Sequence, residues 1–156
     1  MPRCLLTSFL TALALSAPSV LECEGMCSCG WQRDPRKALD GAVAVLAGVA
    51  LDSLTLTPRS EVPRSGEAFL EAFNARVLID SVWKGDVPDT LKVYTSEWGS
   101  GCGFRLELNH RYLLFLYRTS SGRLFATMCS LSQGTDNPHA AWLMQQLGPV
   151  IRRRAA

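Results

Sequence analysis

Apolar and polar residues alternate with a period of two along much of the chain. In residues 73–83 (FNARVLIDSVW), Phe73, Ala75, Val77, Ile79 and Ser81 fall on one face, and Asn74, Arg76, Leu78, Asp80 and Val82 on the other. The first face is the drier, so this segment is predicted as a strand with one side on a core. Lys84-Gly85-Asp86 turns the chain, and residues 91–94 (LKVY) alternate in the same way. Residues 111–118 (RYLLFLYR) and 124–131 (LFATMCSL) predict two further strands, joined by Thr119-Ser120-Ser121-Gly122, which is hairpin chemistry. Residues 42–51 (AVAVLAGVAL) are apolar almost throughout, with Gly48 interrupting them. That pattern predicts a buried strand with a bulge or tight bend at the glycine.

Helical signals flank these strands. Asp34 can cap the free amides of a short helix, Pro35 suits its first position, and Gly41 suits its stop. Near the other end, Asn137-Pro138 opens a helix through Leu147 that Gly148-Pro149 ends. Ala140, Leu143 and Leu147 share one face of it, with Trp142 beside them. Residues 57–66 (TPRSEVPRSG) form a polar surface loop, and residues 99–103 (GSGCG) form a glycine-dense one. The latter lacks the spacing of a phosphate-binding loop. About five strands without strand–helix alternation predict a mainly β domain, a small barrel or sandwich, with a short helix before it and a helix after it.

Composition narrows the class. The chain has 156 residues, 47% hydrophobic and 19% charged, which suits one domain and excludes a disordered chain. Sixteen Lys+Arg stand against 14 Asp+Glu, for a net charge of +2. Three of the arginines cluster in Arg152-Arg153-Arg154; without them acids and bases nearly balance, so no nucleic-acid partner is expected. Residues 151–156 are expected to be a frayed basic tail, with weak attraction to anionic surfaces as the alternative. No apolar run reaches the length of a transmembrane helix.

The first residues predict an export signal. One charge at Arg3 precedes residues 4–17 (CLLTSFLTALALSA), an uncharged stretch of suitable length. A cut after Ser19 puts small residues, Ala17 and Ser19, at both recognition positions, and a cut after Gly25 is the second option. Glu22 before Cys23 argues against a lipid anchor there. The expected organisation is a signal peptide over residues 1–19, a domain over 20–150 and the tail over 151–156, in a secreted or extracytoplasmic protein.

Outside the cytoplasm, spaced cysteines read as disulfides. Cys4 leaves with the signal, so Cys23, Cys27, Cys29, Cys102 and Cys129 remain. One of five is left over, and Cys23 is the expected free thiol. The other four permit three pairings, among which spacing alone does not choose. In an extended Cys27-Ser28-Cys29 segment, both cysteine side chains point the same way.

Read in order, Cys27-Ser28-Cys29, the apolar segment 43–49, the segment VLIDSVWKG (77–85), Cys102-Gly103-Phe104, RYLLF (111–115) and GRLFATMCS (122–130) resemble the netrin-like module of tissue inhibitors of metalloproteinases. The likeness runs from about Cys27 to Ser132. It implies a five-stranded OB-type closed barrel and disulfides Cys27–Cys102 and Cys29–Cys129. Those bridges would close roughly 75 and roughly 100 residues, each contributing about 4–5 kcal/mol in the chain-entropy picture. The resemblance also implies a mechanism. The first cysteine of such inhibitors is N-terminal, and its amine and carbonyl chelate the zinc of a metalloprotease. Carried over by position, Cys27 is the chelator and Ser28 enters the specificity pocket, with Ser100 and Gly101 lining the same wedge. The implied partner is a secreted or cell-surface protein, most concretely a zinc metalloprotease. The sequence departs from this pattern where it matters most. With the cut after Ser19, residues 20–26 precede Cys27, and a peptide-linked nitrogen does not coordinate zinc as an amine does.

Other chemistry is sparse. A thiol redox motif is expected at a helix start within a strand–helix–strand unit, which Cys27-Ser28-Cys29 lacks. His110 reads as a turn residue rather than a metal ligand with Cys27, Cys29 and Cys102, and His139 as a half-exposed residue of a first helical turn. Glu61 with Glu67, and Asp86 with Asp89, read as solvated charges. No enzyme activity and no cofactor are expected. Trp31, Trp83, Trp98 and Trp142 read as core or capping residues, with Trp98 the candidate ligand contact. The alternative to an inhibitor is a structural or ligand-binding envelope module.

Overall fold

The computed structural model describes residues 34–53, 55–56, 73–96 and 102–153. Helix α1 (Pro35–Gly41) starts where Asp34 Oδ1 accepts from the amides of Arg36 and Lys37 at 2.9 and 3.4 Å. Strands β1 (Ala44–Ala50), β2 (Thr55–Leu56), β3 (Phe73–Lys84) and β4 (Thr90–Thr95) follow. After them come β5 (Arg111–Arg118), β6 (Leu124–Phe125), a 3-10 turn (Met128–Ser130) and β7 (Gln133–Gly134). Helix α2 (Pro138–Gln146) and β8 (Arg152–Arg153) complete the order.

The sheet closes on itself. Neighbours run β1-β3-β4-β6-β5, and β5 pairs back onto β1. Every pairing in that circuit is antiparallel except β4 with β6. The result is the five-stranded OB-type barrel, with one helix before it and one after it. Its interior holds Leu46, Ala75, Val77, Ile79, Val93, Leu114 and Leu116, among others, all buried.

Strand β5 is apolar on both faces because both are covered. Tyr112, Leu114 and Leu116 point into the barrel. Leu113 and Phe115 pack outward with Val45 against Ala38 of α1 and Leu143 and Leu147 at α2, so the two helices cover the β1–β5 wall. Lys84 fastens α1 there: its ammonium donates to the carbonyls of Leu39 and Asp40, both at 2.8 Å, at the helix end where carbonyls lack partners.

Strand β3 keeps its alternation only to Ile79. In its register with β1, Ala47 faces Ser81 while Gly48 faces Ile79, and Val45 faces Lys84 while Leu46 faces Val82. Asp80 and Trp83 are therefore the extra residues of two bulges, and each bulge re-aims the side chains beyond it. Val82 takes the core position that simple alternation assigns to Ser81. Gly48 sits at one bulge because a methyl group there would run into the Leu78 carbonyl oxygen and crowd Val77.

Two further expectations are corrected. Residues 124–131 are not one strand: β6 lasts two residues and the chain then turns. The Ser130 hydroxyl donates to the Thr127 carbonyl at 2.6 Å and accepts from the Thr127 amide at 3.3 Å, a local alternative to a sheet ladder. Leu131 follows in the left-handed region at φ 59°. The start of the basic tail is not frayed. The Ile151 amide donates to the Val82 carbonyl at 2.8 Å, and Arg152–Arg153 pairs with Ser81 and Val82 as β8.

Candidate functional site

The end of the barrel that carries Cys102 and Cys129 is built from three chain segments. From β4, the buried Thr95 hydroxyl accepts the Phe104 amide at 2.8 Å. Gly103 bridges to Thr127, and the Met128 amide donates to the Cys102 carbonyl at 3.0 Å. Cys102 sits at φ 57°, a left-handed conformation costly for a residue with a Cβ and therefore held by these bonds. Beyond Cys129, the Ser130 and Ser132 hydroxyls lie 2.8 Å apart. Ser132 Oγ accepts the Phe115 amide at 2.9 Å, which anchors the turn to β5. Both serines are buried, and no buried side-chain polar atom among the described residues lacks a partner. Rigid backbone on both sides thus fixes where the two cysteines stand. Cys102 and Cys129 are both in disulfide linkage.

The remaining residues expected at this site, Cys27, Ser28, Cys29, Trp98, Ser100 and Gly101, lie outside the described residues, as do Glu61 and Glu67. Of the other candidates, His110 stands in an exposed turn, its Nδ1 3.2 Å from Glu107 Oε2. His139 stacks on Trp142 with ring centroids 5.1 Å apart. Trp142 is 43% exposed, so it caps nothing in the core. Trp83 does act as a clasp: its indole donates to the Gly148 carbonyl at 3.1 Å, beneath the segment leading to β8. Asp86 and Asp89 are exposed, with Arg152 approaching Asp89 at 3.9 Å. Among the described residues no three His, Cys, Asp or Glu cluster as a metal site would require, and no helix is long and apolar enough to cross a membrane.

A cavity of about 470 Å3 opens next to the cysteine end, and pattern reading missed it. Phe104, Tyr112 and Met128 supply its apolar lining, and Arg105, Glu107 and Asp136 its charges. The Phe104 and Tyr112 rings meet edge to face at 5.5 Å. The Tyr112 hydroxyl accepts the Glu107 amide at 2.9 Å, and burial pushes its phenol up in pKa. Met128, next to Cys129, is 44% exposed. The signal in the sequence was slight: a polar turn, Asn109-His110, just ahead of a tyrosine one position inside β5.

No protein-family model and no curated protein matches the chain.

Proposed function

We propose that the protein is a secreted, non-catalytic netrin-like module that binds a protein partner through the barrel end bearing Cys102 and Cys129. The observation that carries the reading is the juxtaposition of two disulfide-linked cysteines on one hydrogen-bonded platform, through Met128 and Cys102 at 3.0 Å. Bridges from Cys27 to Cys102 and from Cys29 to Cys129 would pin the leading ribbon across that platform and hold it rigid. Rigidity lowers the ordering cost of binding, which is what a docking edge needs. The exposed Met128, next to Cys129, offers apolar contact at the same end.

In its most concrete form the partner is a zinc metalloprotease. Catalytic zinc keeps one position open, which an amine and a carbonyl can fill together. That route requires Cys27 to be the mature N-terminus, with Ser28 entering the specificity pocket. A cut after Ser19 leaves a protein-binding module whose ribbon cannot chelate, unless a second protease trims residues 20–26.

Peptide mapping of the non-reduced mature protein, with N-terminal sequencing, tests the reading. Expected are fragments linking residue 27 to 102 and residue 29 to 129. A fragment joining residue 102 to 129 directly would sink it. A mature chain beginning at Cys27 should inhibit zinc proteases in a stoichiometric assay, and one beginning at Val20 should not. The cavity beside Tyr112 favours a second reading, a ligand-binding envelope module. Binding of small molecules that quench no protease would support that alternative.

A further inference from the structure

Strand β3 outruns the strand that pairs with its outer edge. On its inner edge β1 accompanies it as far as Lys84. On the outer edge β4 stays only from Phe73 to Leu78, and the Ile79 amide donates to the Asp89 carbonyl at 2.8 Å where the two strands part. Beyond that point a strand edge is a template for any extended chain. Among the described residues, β8 is the strand that covers it, through two residue pairs, Ser81 with Arg153 and Val82 with Arg152.

The segment that carries β8 is lightly held. It leaves α2 through Gly148, whose φ of 78° favours glycine, and Pro149 follows. The Ile151 amide donates to the Val82 carbonyl at 2.8 Å, and the Trp83 indole donates to the Gly148 carbonyl at 3.1 Å. Arg152 comes no nearer than 3.9 Å to Asp89. Ile151 is 67% exposed and Arg152 is exposed as well, so docking of this segment buries little apolar surface. A cavity of about 520 Å3 is lined by Pro149 and Val150 together with Trp83, Arg111 and Met144, so the segment is not packed down along its length. A strand with few buried contacts opens at a small fraction of the cost of global unfolding.

The edge also has a chemical preference. The turn from β3 to β4 exposes Asp86 and Asp89. Lys84, the cation nearest to them in sequence, is engaged with the carbonyls of Leu39 and Asp40. A basic residue therefore suits the position beside this turn, where Arg152 now stands, while the β3 backbone selects an extended chain. Ile151-Arg152-Arg153 displays that combination: extended backbone, with an apolar residue followed by basic ones.

We propose that the outer edge of β3 at Ser81 and Val82 is a strand-addition site for an extended basic segment of a protein partner, and that β8 is its resident competitor. Tethering gives β8 an effective concentration on the order of millimolar, which an incoming strand must exceed. A strand that continues past Val82 to Trp83 and Lys84 does so by adding pairs that β8 does not make. The site goes beyond the function proposed above and is separate from the cysteine end. Phe73 pairs with Thr95 at that end, and Val82 lies about 25 Å further along the strand.

The test uses the full mature chain and, as probe, a synthetic peptide of residues 148–153 (GPVIRR), followed by amide NMR spectra. In the parent, the Ile151 amide should exchange with solvent about a hundredfold sooner than the Phe115 amide, which is bonded within the barrel wall. Ile151→Pro, which removes the donor to Val82, should bind the peptide about tenfold more tightly than the parent, with shifts centred on Ser81 and Val82. Trp83→Phe keeps an aromatic ring but loses the donor to Gly148, and should show the same gain in smaller measure. Asp89→Asn should weaken peptide binding about threefold. A peptide methylated on the Ile151 nitrogen, or with both arginines replaced by glutamate, should not bind. Exchange of the Ile151 amide as slow as that of Phe115, equal peptide binding by the parent and both loosened variants, or binding of either altered peptide like the original would each overturn the proposal. A parent that dimerises with rising concentration through this edge would overturn it too, because the occupant would then be a second copy of the chain. None of these results depends on protease inhibition or on the disulfide map.

Discussion

Asp80 shows how one residue can join strands that are not paired with each other. As the extra residue of a bulge it leaves the β1–β3 ladder, and both its oxygens reach Arg111 on β5, at 2.7 and 2.8 Å. The Ser81 hydroxyl donates to it as well, at 2.7 Å. The pair therefore spans β1 from outside the barrel. Burial pushes the Asp80 carboxyl up, but the Arg111 hydrogen bonds, Ser81 and the Arg111 charge outweigh it and hold the group below the ordinary carboxylate range. A carboxyl lowered in the fold stabilises the protein above its unfolded pKa of about 3.9, and that stability is lost as pH falls through the folded value. Asp80→Asn should cost about 1 kcal/mol at neutral pH, because the pair is only half-buried and partly screened. The gap to the parent should close as pH drops from about 4 to about 2. Urea midpoints across that range measure it; a gap constant with pH would assign the loss to packing instead.

At the scale of elements, the two helices behave as one lid on β1 and β5. Leu143 is fully buried between α2 and the Phe115 side of β5, so Leu143→Ala should destabilise the domain by about 2–5 kcal/mol, read from denaturant unfolding. The exposed neighbour Trp142 should tolerate alanine with little change. Both helices were legible in the sequence through their Asx-Pro starts, and β5 was legible to its ends, because caps and apolar runs are local. The departures share a different cause. The phase change after Ile79 depends on how β1 pairs with β3, which no single segment encodes. The turn at residues 128–130 hides inside an apolar stretch because one serine hydroxyl competes with the ladder. Strand β8 was missed because three arginines read as solvent-facing, although a backbone can pair whatever its side chains carry. At the candidate site the cysteines stood out, whereas the Ser130–Ser132 and Thr95 bonds that position them have no period to detect.

For the whole molecule, the question is whether the two cysteine bridges act separately or together. Cys102 and Cys129 stand on neighbouring backbone, linked through the Met128 amide, so proximity alone allows either arrangement. Separate bridges to the leading segment would each close a long loop and restrict the unfolded chain independently. A direct bridge between the two would close one short loop and restrict it once. Serine replacements distinguish these cases without a map of the bonds. Each of Cys102→Ser and Cys129→Ser should lower stability by about 2–5 kcal/mol. With separate bridges the double variant loses nearly the sum, whereas with a shared bridge it loses no more than either single variant, since the first substitution already opens the link. The expected result is near-additivity, together with one new free thiol in each single variant, contributed by the abandoned partner. Denaturant unfolding with thiol titration on the same samples gives both numbers. Additivity would make the leading ribbon a doubly fastened part of the barrel end; its absence would detach the ribbon, and the partner-binding surface proposed there would lose its rigid edge.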